Sequence, residues 1–302
     1  FGHLFRCIQI SKKTKNINPF FLINKNPQSE NILRSKKISF ETIKNFKKKE
    51  ILEKIKNIGT KKIVIDMYDF VDNNFIKSLK KLNLKTILID DVPKKKISAD
   101  IIYNYSIIKE YKKKYFDYKK IFFGPKYLIP FSKKKETVKK KNILVFFGGS
   151  DINNYSEKVI NILLKLKINA KIKLILGPGY LKSKYYKLKK KSKKKFEVVY
   201  NVKNLEKEIS KHDLIIISAG YSMYKAMFMN KLCLVVPTSS HEIKTAKYVK
   251  KNNLGLICDQ KLKNFNKSLS NILNNNNLKN MLKKNMSKCF SKNLFKEFIK
   301  NL

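Results

Sequence analysis

The sequence has no tryptophan, only two arginines and few acidic residues. Of its 302 residues, 69 are basic and 22 are acidic, which gives a net charge of +47, and every basic residue other than Arg6 and Arg34 is a lysine. Proteins that read nucleic acids rely on arginine for bidentate and stacking contacts, and they concentrate charge on one face. Here the lysines run along the whole chain, a pattern typical of AT-biased coding. We therefore predict no specific nucleic-acid partner and only weak adhesion to polyanions at low salt.

Cysteine pairs and long apolar runs are also missing. The four cysteines are far apart and form no C-x-x-C pair, so neither a disulfide framework nor a zinc site is predicted. No stretch approaches the roughly 18 consecutive apolar residues of a membrane-spanning helix. Hydrophobic residues still make up 43% of the chain, enough for the cores of two domains. We expect a cytoplasmic, monomeric protein with no metal, no cofactor and no membrane span.

Apolar runs alternate with helical patterns in the first half, which is typical of βα units around a parallel sheet. We predict helices at Glu50–Ile58, where Gly59 ends the pattern, and at Asn73–Leu82. The predicted strands are Phe20–Asn24, Lys62–Met67, Lys85–Asp90, Asp100–Asn104 and Lys120–Phe123. Together these elements predict an N-terminal Rossmann-like domain over residues 1–135.

The second half repeats this alternation more regularly, and we assign residues 141–277 to a second Rossmann-like domain. The predicted strands are Ile143–Phe147, Lys171–Leu176, Phe196–Tyr200, Asp213–Ser218, Leu232–Val236 and Leu256–Cys258. The polar segment Ser132–Asn142 is either a linker or a solvated helix end, and residues 278–302 form a last helical stretch that can pack back on the first domain. The predicted fold class is α/β: two doubly wound domains facing a cleft at the carboxyl ends of their strands, where such sheets bind ligands.

Candidate site residues in the first half lie at the start of a helix and at strand ends. Gly2-His3 opens a helical pattern, which lets the backbone approach a ligand closely and places an imidazole near a helix N-terminus; the alternative is a disordered terminal histidine. Asp66 and Tyr68 end a predicted buried strand, where they can bind hydroxyl groups. Asp90-Asp91 ends the next strand, and capping of the following loop is its simpler role.

Three strand-to-helix turns in the second half carry small residues and hydroxyl groups. Phe147–Asp151 (FGGSD) and Ser218–Ser222 (SAGYS) can present backbone N–H groups to a phosphate, although a tight turn needs glycine for geometry alone. The third turn, Thr238–Glu242, can border a nucleotide or can cap its helix. The P-loop, zincin, serine-hydrolase and EF-hand motifs are absent, which disfavours those classes.

These motifs, together with Phe123–Tyr127 (FGPKY), resemble in this order the UDP-2,4-diacetamido-2,4,6-trideoxy-beta-L-altropyranose hydrolases of pseudaminic acid biosynthesis. The likeness covers nearly the whole chain and extends to spore-coat-polysaccharide proteins and to MurG-like glycosyltransferases with the GT-B fold. It implies a metal-free enzyme that releases UDP from a diacetamido sugar by attack of water at the anomeric carbon with inversion. Because UDP leaves readily, one general base can suffice.

The resemblance also implies roles for individual residues. His3 matches the family's catalytic histidine. Gly2, Arg6, Asp66 and Tyr68 would contact the sugar. Gly149, Ser150, Gly220, Ser222 and Glu242 would surround the nucleotide, Glu242 standing where relatives usually have glutamine.

Two features depart from the family pattern. The strand that precedes the Gly-His pair in the family is not in this sequence, so we expect a first domain without it. Lys225 stands where relatives carry a glutamate that holds the ribose, and lysine cannot accept a hydrogen bond from a hydroxyl. Lys225 is therefore expected either to contact the diphosphate or to point to solvent.

Two other functions remain open at this stage. A GT-B glycosyltransferase would use the same UDP-sugar site but pass the sugar to an acceptor, and a catalytically inactive relative would only bind the sugar nucleotide. A lipid acceptor would call for an apolar patch on the first domain. The short run Phe20–Ile23 is more simply a strand.

Overall fold

The computed structural model describes residues 1–14, 17–44, 47–67, 70–130, 142–166, 168–192 and 195–302. These residues form two compact units. The first contains His3–Ile129 and Lys292–Leu302, and the second contains Pro130–Ser291. Most of the predicted segment Ser132–Asn142 lies outside the described residues. The last residues of the chain thus belong to the first unit, although they follow the second in sequence.

The first unit contains two parallel sheets. In its described part, the strands are β1 (Phe20–Asn24), β2 (Ser39–Ile43), β3 (Lys62–Ile65), β4 (Lys85–Ile89), β5 (Ile101–Asn104) and β6 (Lys120–Phe123), and the helices are α1 (Gly2–Ser11), α2 (Pro27–Ser35), α3 (Lys48–Ile58) and α4 (Asn73–Lys81), with short 3-10 helices at Lys109–Lys114 and Pro125–Tyr127. Strands β3, β4, β5 and β6 pair in that order, while β1 pairs with β2 in a separate sheet. The five predicted strands of this half are present, three of them ending or starting one or two residues inside the predicted bounds.

Strand β2 was missed by the sequence analysis. Its residues alternate between exposed and at least partly buried positions, from exposed Ser39 to fully buried Ile43. That alternation is the pattern of a half-buried strand, and it was hidden because lysines flank the segment on both sides.

A cluster of mainly aliphatic side chains packs the helices of this unit against its strands. Ile76 and Leu79 of α4 are fully buried and belong to one cluster with Leu88 of β4 and Ile102 of β5. The helix begins at Asp72, whose side chain accepts a hydrogen bond from the backbone N–H of Phe75 at 2.8 Å and so satisfies an orphan donor.

The second unit is built on one parallel sheet with the strand order β12-β11-β10-β7-β8-β9. In its described part, the strands are β7 (Asn142–Phe146), β8 (Lys171–Leu176), β9 (Glu197–Tyr200), β10 (Leu214–Ile217), β11 (Leu232–Val235) and β12 (Leu256–Ile257), and the helices are α5 (Tyr155–Lys165), α6 (Lys182–Ser192), α7 (Leu205–Ser210), α8 (Tyr221–Phe228), α9 (Ser240–Lys251), α10 (Phe265–Asn274) and α11 (Asn276–Cys289). Every residue of β10 and β11 is buried, as expected for central strands covered on both faces.

The predicted last helical stretch is two helices rather than one. Helix α11 ends at Cys289, and a short helix α12 (Phe295–Ile299) follows after a break. At the break, the backbone N–H of Leu294 donates to the carbonyl of Lys126 at 2.7 Å, and Asn293 Nδ2 donates to the carbonyl of Leu128 at 2.8 Å. Among the described residues, no helix is both long and apolar enough to cross a bilayer.

Candidate active site

A histidine and an aspartate meet at the carboxyl end of β3. His3 lies in the first turn of α1, and Asp66 is the residue directly after β3. The His3 Nδ1 atom is 2.6 Å from Asp66 Oδ1. The His3 side chain is 46% exposed while that of Asp66 is only 2% exposed. The imidazole of His3 is therefore exposed to solvent, and the buried carboxylate of Asp66 holds it in place.

Arg6, one helical turn after His3, ties this carboxylate into a buried network. Its Nε donates to Asp66 Oδ2 at 2.7 Å, and its Nη2 donates to Asp66 Oδ1. Its Nη1 donates to Asp91 Oδ2 at 2.9 Å and to the hydroxyl of Tyr105, which itself donates to Asp91. One guanidinium thus joins two carboxylates from the ends of β3 and β4, which is the planar, bidentate geometry that arginine supplies and lysine cannot.

The charge on Asp66 decides the tautomer of His3. Burial disfavours the carboxylate, but Arg6 and the hydrogen bonds from His3 and Arg6 outweigh burial and lower the pKa of Asp66 to about 2. An ionised carboxylate can only accept, so His3 Nδ1 must carry the hydrogen that it shares with Asp66. The Nε2 atom of the neutral ring is then an acceptor, which is the arrangement of a general base.

The pKa values of the two aspartates at the end of β4 are shifted in opposite directions. Burial opposes ionisation of Asp91, but Arg6 and the Tyr105 hydroxyl hold its pKa below the usual value. Burial and the neighbouring Asp91 instead raise the pKa of Asp90 to about 7. The simpler reading of this pair as a loop cap does not describe Asp91, whose carboxylate bonds to the buried network. Sequence reasoning missed this role of Asp91 and Tyr105, and the only signal was two acidic residues at the end of a buried strand.

The other residues predicted to contact the sugar do not share one environment. Gly2 is exposed at the start of α1, and a Cβ there would meet nothing within 4 Å. Arg6 is 2% exposed with its guanidinium engaged by Asp66 and Asp91, so it supports the site from inside rather than offering itself to a substrate. Tyr68 lies outside the described residues.

In the second unit, the Gly148–Gly149 turn is packed against the loop after β8. Gly148 has a positive φ of 84°, and the N–H of Gly179 donates to the carbonyl of Gly149 at 2.8 Å. A Cβ on Gly177 would lie 2.5 Å from backbone atoms of both Gly148 and Gly149. Gly177 is thus needed for this close approach, and the sequence analysis did not single it out.

Asp151 precedes helix α5, and its carboxylate binds the first N–H groups of that helix. Its two carboxylate oxygens accept from the N–H groups of Tyr155 and Ser156 at 2.9 and 2.8 Å. Ser150 precedes it and is partly exposed. Gly148 and Gly149 are partly exposed as well.

The turns after β10 and β11 lie next to each other. Gly220 is the N-cap of α8, with Ser222 in the first turn of that helix. A Cβ on Gly220 would lie 3.2 Å from Glu242 Oε1. The other oxygen of Glu242 accepts from the N–H and hydroxyl of Thr238 at 2.7 and 3.0 Å.

A further hydrogen bond joins the turn after β11 to the loop after β7. Asn153 Nδ2 donates to the carbonyl of Thr238 at 2.9 Å. Since β7, β10 and β11 are neighbours in the sheet, all three predicted turns meet at one edge. Glu242 bonds to Thr238 in the turn that precedes its own helix rather than to an N–H group of that helix, and its other oxygen lies beside Gly220.

Lys225 takes neither of the two positions expected for it. It is 5% exposed, and its Nζ is 2.6 Å from Glu206 Oε1 and lies over the ring of Tyr221, 4.9 Å from its centroid. Burial lowers the pKa of this lysine, while Glu206 opposes that shift. The ammonium is therefore committed to an ion pair between α7 and α8.

Among the residues that the structure describes, no group of three or more histidine, cysteine, aspartate or glutamate side chains could hold a metal ion.

Two Rossmann-like units, with small-residue turns at the carboxyl ends of their strands, define a protein of the GT-B class. The model of the glycosyltransferase family 28 C-terminal domain matches residues 142–302, and the chain belongs to this family. An uncharacterized protein of Methanocaldococcus jannaschii is 32% identical over 250 residues, which cover 76% of this chain and 51% of that protein. The chain therefore spans about half the length of this curated relative.

Solved structures agree on the fold. MurG of Acinetobacter baumannii has a TM-score of 0.66 at 12% identity, covering 99% of this chain and 95% of that chain. The spinosyn rhamnosyltransferase SpnG, complexed with thymidine diphosphate, has a TM-score of 0.70 at 10% identity with the same coverage of 99% and 95%. HepE of Anabaena, in complex with UDP-glucose, has a TM-score of 0.63 at 10% identity and covers 100% and 96%. The predicted fold class is confirmed, whereas the narrower resemblance to the hydrolases stays a prediction.

Proposed function

We propose that this protein is an enzyme that binds a UDP-sugar and transfers the sugar to an acceptor hydroxyl. The observation that carries the proposal is the family 28 match over the second unit, whose three turns meet at one edge of its sheet. The transferase function, given second place by the sequence analysis, is better supported by the comparisons than hydrolysis.

In this proposal the second unit binds the nucleotide. Backbone N–H groups at Gly149 and Gly220 and the hydroxyl groups of Ser150 and Ser222 would hold the diphosphate, because N–H groups of glycine turns and of helix starts favour anions. Glu242 can only accept hydrogen bonds when ionised, so its role would be to bind hydroxyl groups of ribose or sugar.

The first unit would supply the base. His3 Nε2 would take the proton of the acceptor hydroxyl as its oxygen bonds to the anomeric carbon, while the bond to UDP breaks and UDP leaves with the electron pair. Asp66 would stabilise the imidazolium formed in this step, and general-base catalysis of this kind contributes about 10²- to 10⁴-fold. Attack from the face opposite UDP would invert the anomeric centre.

Hydrolysis of a UDP-diacetamido-trideoxy sugar, as in pseudaminic acid biosynthesis, is the second candidate. It is favoured by the exposure of His3, whose ring can reach water, and by the motif resemblance around Gly2-His3. In this case water replaces the acceptor hydroxyl, and the other roles are unchanged.

UDP release from a panel of UDP-sugars, with and without sugar acceptors, tests the proposal. We expect release that depends on an acceptor, whereas release in its absence identifies the hydrolase. For His3→Ala we expect turnover to fall by about 10²-fold or more with UDP affinity retained. Ser222→Ala is the reciprocal control and is expected to weaken UDP binding instead.

Two results would contradict the proposal. Unchanged turnover in His3→Ala would remove His3 from the reaction. Failure of the unaltered protein to bind UDP in calorimetry, with thymidine diphosphate as the comparison, would remove the proposed substrate class.

A further inference from the structure

The most exposed large apolar side chains of the described chain share one region of the second unit. Ile152 is 85% exposed, Tyr186 63% and Leu181 61%, whereas the next most exposed large apolar residues reach only 44%. Scattered single apolar residues are normal on a protein surface, but a group of the most exposed ones marks an interaction site.

Hydrogen bonds hold the two loops that carry Ile152 and Leu181 side by side. One bond joins the N–H of Gly179 to the carbonyl of Gly149 at 2.8 Å, and another joins Lys184 Nζ to Asn154 Oδ1 at 2.8 Å. Ile152 lies between these bonds on the loop after β7, and Leu181 lies between them on the loop after β8. The two aliphatic side chains therefore project from one cross-linked pair of loops.

Helix α6, which begins just after Leu181, is strongly basic. The segment 177–192 contains no acidic residue, and its lysines are Lys182, Lys184, Lys187, Lys189, Lys190 and Lys191. All of these except Lys184 are exposed. The nearby acidic Asp151 directs its carboxylate at the N–H groups of Tyr155 and Ser156.

We propose that Ile152, Leu181 and Tyr186, together with the exposed lysines of α6, form a surface that docks on an anionic lipid bilayer. Aliphatic side chains entering the headgroup region and lysines attracted to lipid phosphates and carboxylates are the two components of interfacial binding. We call these residues the α6 surface. The proposal is independent of the reaction that the protein performs.

A lipid surface fits these residues better than RNA. Single-stranded nucleic acids are held by aromatic platforms and by arginine, and exposed isoleucine and leucine side chains gain nothing from a sugar-phosphate backbone. The bilayer interface, in contrast, stabilises aliphatic side chains once the lysines have brought the surface close to it.

The absence of tryptophan from the chain allows a direct test. In Leu181→Trp, the single tryptophan reports on the α6 surface, and in Met281→Trp it reports on α11, where Met281 is also exposed. With vesicles of phosphatidylcholine and phosphatidylserine, we expect the emission of Leu181→Trp to shift to the blue and to be quenched by brominated lipids. Met281→Trp is expected to show neither effect. No shift in Leu181→Trp, or equal shifts in both variants, overturns the proposal.

Cosedimentation with the same vesicles separates the two components of binding. We expect about a tenfold loss of partitioning for Ile152→Ser combined with Leu181→Ser. A similar or larger loss is expected for the triple change Lys182→Gln, Lys187→Gln and Lys190→Gln.

The matched control removes three exposed lysines from α11: Lys283→Gln, Lys284→Gln and Lys288→Gln. We expect its partitioning to stay within about twofold of the unaltered protein, because charges farther from the contact are screened by salt. An equal loss in the control means that net charge alone attracts the protein, and this overturns the proposal. So does an equal loss of binding to polyuridylate RNA in the Ile152→Ser, Leu181→Ser variant.

Discussion

The two arginines of this chain have opposite environments. Arg6 is buried between Asp66 and Asp91, whereas Arg34 is exposed and lies 3.8 Å from Glu30 on the same helix. In a chain whose other basic residues are lysines, the buried position requires the planar fork of arginine. Arg6 thereby positions the carboxylate that orients His3.

We expect Arg6→Met to destabilise the protein by about 3 kcal/mol or more at pH 7, because it leaves the buried carboxylate of Asp66 and the partly buried carboxylate of Asp91 without their partner. The matched change Arg34→Met is expected to cost at most about 0.5 kcal/mol. Urea unfolding followed by circular dichroism measures both.

The cost of Arg6→Met is also expected to depend on pH. In the unaltered protein, the pKa of Asp66 is lowered from 3.8 to about 2, so its stabilising contribution is complete above the unfolded pKa and is lost as pH falls through about 2. The difference between the two proteins should therefore shrink in acid. A constant difference from pH 7 to acid would contradict the role of Arg6 as the counter-ion.

Asp90 has the opposite linkage. Its pKa is raised to about 7, so between pH about 4 and about 7 the folded state holds a proton that the unfolded state has lost, and stability falls as pH rises through this window. We expect Asp90→Asn to be more stable than the unaltered protein at pH 8, on the order of 1 to 3 kcal/mol. The gain should vanish near pH 4, and unfolding curves at these pH values check it.

At the scale of elements, the close contact between the loops after β7 and β8 requires a residue without a side chain at position 177. Gly177 has the backbone of Gly148 and Gly149 where its Cβ would be, at 2.5 Å. Because backbone rather than a flexible side-chain end fills this space, one of the two loops must move to admit a methyl group.

Gly177→Ala is therefore expected to destabilise the second unit by about 1 to 3 kcal/mol and to weaken nucleotide binding by displacing Gly149. Gly2→Ala is the control for stability, since nothing lies within 4 Å of the added methyl group. Thermal unfolding and UDP titration of both variants measure the effect. Equal melting temperatures would show that the loops adapt without cost.

At the scale of the whole molecule, the last residues of the chain complete the core of the first unit. Phe298 is fully buried and stacks on Tyr103 with ring centroids 4.2 Å apart, and Phe295 lies edge-on to the same tyrosine at 6.1 Å. These contacts join residues nearly two hundred positions apart. The first unit is thus formed from both ends of the described chain.

Lysines at the amino ends of the first unit's strands also bind these last residues. Lys85 Nζ donates to the carbonyl of Asn301 at 2.9 Å, and Lys120 Nζ donates to its side-chain oxygen at 2.8 Å. Burial and the neighbouring lysines lower the pKa of Lys85. Some lysines of this strongly basic chain, such as Lys85 and Lys120, therefore bind carbonyl oxygens within the fold. Most lysines of α6, in contrast, remain exposed at the surface.

The sequence by itself determined most of the second unit. Runs such as Leu214–Ile217 and Leu232–Val236 are apolar throughout, as expected for strands that are buried on both faces of the sheet. The turns at Gly149, Gly220 and Thr238 were also readable, because glycine and hydroxyl residues directly follow those strands. Strand β2 was not readable in the same way, since two of its five residues are exposed and two are only partly buried.

Only the tertiary structure decided which polar residues act together. Nothing in the sequence spacing joins Arg6 to Asp91, or Lys225 to Glu206, because these pairs form across elements that are brought together by packing. The same holds for Gly177, whose requirement comes from the backbone of the turn after the neighbouring strand β7. Local patterns follow from the backbone periodicity of helices and strands, whereas ion pairs and close backbone contacts depend on how those elements pack.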